Sequence, residues 1–332
     1  MSITFLKEIN EQKGLFIMEY PDFQKLSKSL QEKTVPISSC TFLEISNTDR
    51  NLPYVIFGIP YERHSSVRRG AKFGPWAIRE ISRYVHTFDL NTSVDIRDKV
   101  VDIGDIKVCS TVKDDFEKEL KHIEHFVHEN VTENQFPIAL GGDHMITLPV
   151  FKGLIKNQTS CILHFDAHLD LYDRYPYTPA ANESHTHATV FRRIIESGID
   201  QVISIGIRSV DPLEFDYFKS EERIQMISSY DLHKEGTRVI GKKIETLIEP
   251  FEWVYLSLDL DVFDPAYAPG VSTPEPYGIS PWDFLQLLES FCEKLTGFDV
   301  VELCPPYDNG ITSTLAVKTI VDILCRHEKS RY

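Results

Sequence analysis

Seven short apolar, β-branched runs punctuate the chain: PYVIFGIP (Pro53 to Pro60), KVVDIGDI (Lys99 to Ile106), FPIALGGD (Phe136 to Asp143), SCILHFDA (Ser160 to Ala167), QVISIGIRS (Gln201 to Ser209), WVYLSLDLD (Trp253 to Asp261) and FDVVELCP (Phe298 to Pro305). They run on as apolar stretches instead of alternating strictly, so each predicts a strand covered on both faces, as in a parallel sheet. The segments between them are polar with a helical repeat. DDFEKELKHIEHFVHEN puts Phe116, Leu120, Ile123 and Val127 on one face. SPWDFLQLLESFCEKL opens with Ser280 as an N-cap and Pro281 at the first helical position. Strand and helix in alternation predict a three-layer α/β fold, a parallel central sheet with helices on both faces. With no internal repeat, low-complexity tract or Pro/Gly/Ser-rich linker, residues 51–332 read as one domain. Residues 1–50 are less patterned and read as an N-terminal extension packed on it.

In open α/β sheets, ligands bind beyond the carboxyl ends of the strands, and three of these ends carry unusual residues. FPIAL is followed by Gly141-Gly142-Asp143-His144, SCILHF by Asp166-Ala167-His168-Leu169-Asp170, and WVYLSL by Asp259-Leu260-Asp261. Within the second and third groups the polar residues sit at i, i+2 spacing and point the same way along an extended backbone. Together they aim four carboxylates and two imidazoles at one region. Two like charges about 4 Å apart repel by roughly 4 kcal/mol at an effective dielectric of 20, and no Lys or Arg run compensates them. Two divalent cations with a bridging hydroxide would. Oxygen-rich ligands with two imidazoles and no thiolate favour Mn²⁺ over a structural zinc, with Ni²⁺ or another divalent ion as the alternative. Such a pair draws a nucleophile from water at neutral pH.

Other histidines read differently. His164 lies inside an apolar run and reads as a core residue, while His122, His125 and His128 interleave with Lys and Glu on a solvated helix face. Asp143 and Asp264 read as turn residues or as groups that orient ligands. The composition narrows the partners: 35 Lys and Arg against 50 Asp and Glu give a net charge of −15, which argues against nucleic acid and suits a small cationic or neutral substrate. The six cysteines (Cys40, Cys109, Cys161, Cys292, Cys304, Cys325) are scattered and read as reduced thiols. MSITFLKEINEQKG lacks the layout of a signal peptide and no apolar run approaches a membrane span, so the expected location is the cytoplasm.

GGDH, DAHLD and SLDLDVFDP, in this order and at these separations, resemble the three signatures of the ureohydrolases, the arginase and agmatinase family. The resemblance runs from Gly58-Ile59-Pro60 through RGAKFGP (Arg69 to Pro75) and VDIGD (Val101 to Asp105) to Val301-Glu302-Leu303-Cys304-Pro305, nearly all of the chain after the first fifty residues. RGAKFGPWAIRE and HATVFRR (His187 to Arg193) look closer to agmatinases than to arginases. The resemblance implies an arginase-like fold and one manganese held by His144, Asp166, Asp170 and Asp259. It implies a second held by Asp166, His168, Asp259 and Asp261. It further implies that His187 shuttles protons beside the substrate, that Glu302 pairs with the guanidinium, that Asp170 accepts a hydrogen bond from the attacking hydroxide, and that the protein is a trimer or hexamer.

The implied reaction is hydrolysis of a guanidino compound to urea and a primary amine, with agmatine first and guanidinobutyrate, another guanidino acid, formiminoglutamate or guanidine as alternatives. A non-catalytic, metal-binding regulatory relative would be marked by a lost ligand or acid, and none is missing. Dinuclear phosphoesterases place their D-x-H group first in the chain, and single-zinc deacetylases need a tandem His-His pair that this chain lacks. Met145 stands where many relatives carry a small hydroxyl residue, and Ala188 replaces a common glycine. The loop LYDRYPYTPAANESHT (Leu171 to Thr186) is long and aromatic, is expected to line the entrance, and contains His185, a rival to His187.

Overall fold

A computed structural model describes residues 40–108, 116–177 and 182–332. The first 39 residues of the expected extension, Cys109 and the tip of the 171–186 loop lie outside these. An eight-stranded sheet forms the centre: β1 (Tyr54–Ile59), β4 (Val100–Asp105), β5 (Phe136–Gly141), β6 (Ser160–Phe165), β7 (Gln201–Ile207), β8 (Ile224–Ser228), β9 (Trp253–Asp259) and β10 (Leu295–Val301). Two short strands, β2 (Phe88–Asp89) and β3 (Val94–Asp95), pair separately. The main sheet runs β4-β1-β5-β10-β9-β6-β7-β8, and every pair in it is parallel.

Alternate side chains of these strands enter two separate cores, one on each face. Ile56, Leu140, Leu163 and Leu256 join one core with Ile78 and Ile81 of α1 (Gly74–Ser82), Leu232 of α6 (Ser229–Glu235) and Ile240 and Ile244 of α7 (Thr237–Ile248). Phe284 of α8 (Pro281–Leu288) and Ile320 of α9 (Ile311–Ser330) belong to the same layer. Phe57, Ala139, Ile162 and Tyr255 join the other core with Ile123 and Val127 of α2 (Phe116–Asn130), Val150 and Phe151 of α3 (Thr147–Leu154) and Ile194 of α4 (Val190–Glu196). Tyr217 and Phe218 of α5 (Pro212–Ser220) pack at its margin. This double burial is why the strands read as unbroken apolar runs. Ser280 caps α8 as expected, its hydroxyl accepting from the Asp283 amide.

The buried Arg79 fork ties α1 to the sheet: Nε and Nη2 donate to Asp102 at 2.7 and 2.9 Å, and Nη1 donates to Asp105. Residues 40–50 also meet this face, Phe42 and Ile45 joining its core and the Phe42 amide donating to Asp102. The arrangement with most bearing on chemistry is the central quartet β5-β10-β9-β6. These four strands are neighbours in space, point the same way, and deliver all the unusual strand-end residues to one edge.

Candidate metal and active centre

Each strand exit is shaped by its own backbone. After β5 the chain passes tightly against Tyr61: a Cβ on Gly142 would lie 1.8 Å from the Tyr61 carbonyl oxygen, so only glycine fits there. Asp143 then caps a short turn, one carboxylate oxygen accepting from the Met145 amide and the other from the Arg63 amide, as expected of a turn residue. The cap directs His144 inward. After β6 and β9 the first aspartate uses one oxygen to fold its own loop. Asp166 Oδ1 accepts from the His168 amide at 2.6 Å and Asp259 Oδ1 from the Asp261 amide at 2.7 Å, leaving each Oδ2 for the centre. Asp264 folds the loop beyond β9 by accepting from the Ala266 and Gly278 amides.

Three carboxylate oxygens converge on one nitrogen. His144 Nδ1 lies 3.1 Å from Asp166 Oδ2, 3.2 Å from Asp170 Oδ2 and 3.2 Å from Asp259 Oδ2, yet this buried atom makes no hydrogen bond. Donor atoms about 2.1 Å from one octahedral ion and at right angles to each other are about 3 Å apart, so the spacing is that of ligands around a cation. A second set lies beside it, with His168 Nδ1 3.3 Å from Asp166 Oδ1 and 3.2 Å from Asp261 Oδ2. Asp166 thus presents one oxygen to each set; His144, His164, Asp166 and Asp170 in one buried group, and Asp166, the half-buried His168 and Asp261 in the other, have the donors a divalent cation needs. The residues present fit two cations.

Electrostatics point the same way. Burial raises Asp170 to about 8 and drives Asp259 and Asp261 upward too, with neighbouring carboxylates adding to the effect. Asp166 runs against burial because the imidazoles of His164, His144 and His168 close around it and hold it well below the usual carboxylate range. His144 rises despite burial because Asp166, Asp170 and Asp259 surround it. A buried cluster of this kind must take up positive charge, as protons or as cations.

Two further residues expected at the site face the same cavity of about 210 Å³: His187 and Glu302, with His144, His168, Asp170, Asp259 and Asp261 also in its wall. Glu302 accepts from the His144 amide at 2.8 Å, and burial pushes it up to about 7. Asp170 (φ 55°) and Glu302 (φ 62°) both adopt the left-handed conformation, which non-glycine residues seldom take and which recurs at functional sites. His187 opens the turn before α4, and its Nε2 lies 2.6 Å from Ser66 Oγ, which lies 2.5 Å from the Tyr175 hydroxyl. His185 does not line the cavity; it packs against Phe116, ring centres 5.0 Å apart. His164 is fully buried and stacks on Phe191 at 3.6 Å as a core residue should, yet its Nε2 also lies 2.8 Å from Asp166 Oδ2.

Some neighbours of the centre went unread in the sequence. His144 Nε2 lies 3.0 Å from Ser257 Oγ, which donates to Asp299 at 2.8 Å, a buried chain that fixes the imidazole from behind. Asp299 could have been found, because a carboxylate in the middle of a strand buried on both faces demands a partner. For Ser66 the sequence carries no such signal.

The arginase family model matches residues 52–325. The chain belongs to the arginase family. It is 33% identical over 279 residues to guanidinopropionase of Pseudomonas aeruginosa, covering 81% of this chain and 85% of that one. It is 31% identical over 286 residues to agmatinase of Pyrococcus horikoshii, covering 85% and 95%. Agmatine ureohydrolase of Thermoplasma volcanium superposes with a TM-score of 0.77 at 33% identity, covering 91% and 98%. The arginase-family fold and its enzyme class, a ureohydrolase acting on guanidino compounds, follow from these matches. Among the described residues, no helix is long and apolar enough to cross a membrane.

Proposed function

We propose that this arginase-family protein hydrolyses a small guanidino compound with a cationic tail, agmatine first, to urea and the corresponding amine. The observation that carries the reading is the convergence of three carboxylate oxygens on the unbonded His144 Nδ1. One cation would be held by His144, Asp166, Asp170 and Asp259, and a second by Asp166, His168, Asp259 and Asp261, with Mn²⁺ as the first choice and Ni²⁺ the alternative. Such a pair, when bound, supplies a nucleophile drawn from water at neutral pH. The chain's own groups do the rest. Glu302 accepts a fork of hydrogen bonds from the planar guanidinium and orients its central carbon toward the metal side of the cavity. Asp170 holds a proton of the attacking water on its carboxylate. A ring nitrogen of His187 supplies the proton that the departing amine nitrogen needs.

The lining of the cavity supports a cation over a carboxylate. Tyr172, Tyr175 and Tyr177 line it together with Asp211, Glu214 and Glu275, and among the described residues no Lys or Arg does. Their ring centres lie 5.6 to 6.5 Å apart, and aromatic faces with nearby carboxylates attract an ammonium group. Relatives named for different substrates match at nearly equal identity, 33% and 31%, so the pocket, not the degree of identity, has to decide. The test is urea release, or formamide release from formiminoglutamate, with Mn²⁺ and with Ni²⁺. The panel is agmatine, guanidinobutyrate, a shorter guanidino acid, formiminoglutamate and guanidine. No product from any member with metal bound would overturn the reaction, and faster turnover of an acid-tailed substrate would overturn the substrate class.

A further inference from the structure

We infer that Ser66 is the positioning residue of His187, and that Tyr175, a residue of the substrate-cavity wall, holds Ser66 in place. The inference rests on the proton-donating role proposed above for His187. Two connections meet here: the loop after β1 supplies Ser66, and the connection from β6 to α4 supplies Tyr175 in its loop and His187 in the turn that ends it. Their polar atoms follow one another at 2.5 and 2.6 Å, Tyr175 hydroxyl to Ser66 Oγ and Ser66 Oγ to His187 Nε2.

The chemistry of the three groups suits a fixed chain. A serine hydroxyl has one donor and two acceptor sites, so Ser66 can accept from the Tyr175 O–H while donating to Nε2. Burial pushes His187 down to about 4, which keeps the resting ring neutral, with one nitrogen accepting and the other protonated. The contact with Nε2 fixes the ring plane whichever of the two atoms donates.

Tyr175 is itself held rigidly. Its amide donates to the Glu183 carbonyl at 2.8 Å and its carbonyl accepts from the Asn182 amide at 2.8 Å, closing the base of the loop. Its ring is buried and packs against those of Tyr172, Tyr177 and His187. A substrate tail lying against these tyrosines therefore presses on the group that steadies the proton donor, and the tail's fit is expressed in turnover as well as in binding.

The experiment compares Ser66→Ala, Ser66→Thr, Tyr175→Phe and His187→Ala in the Mn²⁺-loaded enzyme, reading kcat, KM and metal content. Misplacing a general acid gives up much of the 10²- to 10⁴-fold it supplies. Ser66→Ala is expected to lower kcat by about ten- to one hundred-fold, with KM within about two-fold of the original and metal content unchanged. Ser66→Thr, which keeps the hydroxyl, restores most of kcat. Tyr175→Phe, which removes one hydrogen bond, lowers kcat by about two- to ten-fold. An unchanged kcat in Ser66→Ala, a loss confined to KM, or a threonine variant no better than alanine would overturn the inference. If His187→Ala abolishes turnover while Ser66→Ala does not, only this inference fails. If His187→Ala turns over normally, the proposed role of His187 fails with it.

Discussion

Glu302→Gln separates holding substrate from holding metal. The side chain emerges from β10 in the left-handed conformation, is 5% exposed, and accepts from the His144 amide. Glutamine keeps the size, the backbone preference and one carbonyl oxygen for that amide, so the fold and the set of atoms around His144 Nδ1 should survive. In the proposed role, what disappears is the negative charge offered to the guanidinium and one arm of its fork. Losing one partner of a buried, hydrogen-bonded charge pair costs about 2 to 5 kcal/mol. At 1.4 kcal/mol per factor of ten, this is a fall in kcat/KM of about 30-fold to several thousand-fold. The assay is urea release across a range of agmatine concentrations, with bound metal measured on the same preparation by plasma mass spectrometry. A kcat/KM within two-fold of the original would refute the role of Glu302 as substrate anchor, and a fall in bound metal would show that it serves the cations instead.

Asp259→Ala removes one of the three oxygens around His144 Nδ1, and metal content and activity should be lost together; a variant that keeps full activity would mean that the cations lie elsewhere. Gly142→Ala drives a methyl group into the Tyr61 carbonyl and should cost at least about 3 kcal/mol, read as a lowered denaturation midpoint or loss of soluble protein. Burial raises Glu214 from 4.5 to about 7. The folded state therefore binds the proton more tightly than the unfolded chain, and stability falls as pH rises from 4.5 to 7, then levels off. The loss is up to about 3 kcal/mol; chemical denaturation at pH 5 and pH 8 checks it, and the difference should shrink in Glu214→Gln.

Much of the architecture was legible because burial on both faces leaves a plain mark: seven of the main strands follow apolar runs, and β9 occupies the expected residues. The eighth, β8, was not, because an edge strand keeps one side wet. Ile224 and Ile227 are buried while Gln225 is exposed, too short a pattern to stand out between two helices. β10 starts at Leu295, three residues before the predicted run, since Thr296 and Gly297 interrupt its apolar character; Gly297 is there because a Cβ would meet Pro137 at 2.7 Å. The six candidate ligands were legible for a different reason: charged groups at the exits of apolar strands cannot be explained by packing. Ser66 and Tyr175 could not be assigned a role, because their partnership arises from the loop after β1 meeting the β6-to-α4 connection in space and no spacing along the chain records it. His164 was only half read, since its core position is visible in the sequence but its contact with Asp166 is not.

The strand order has a consequence for how the enzyme comes into being. β10 is the last strand made, yet it lies between β5 and β9, and it alone joins the β4-β1-β5 group to the β9-β6-β7-β8 group through the main sheet. Residues 295–301 complete the sheet between the strand that leads to His144 and the strands that lead to Asp166, Asp170 and Asp259. A chain truncated before β10 is expected to hold the cluster around His144 less firmly, since β5 and β9 would have no strand between them. The contact between β5 and β10 closes a loop of more than 150 residues, a long-range pairing of the kind that forms slowly. The last strand of the sheet in the chain is thus the one that completes the frame of the site.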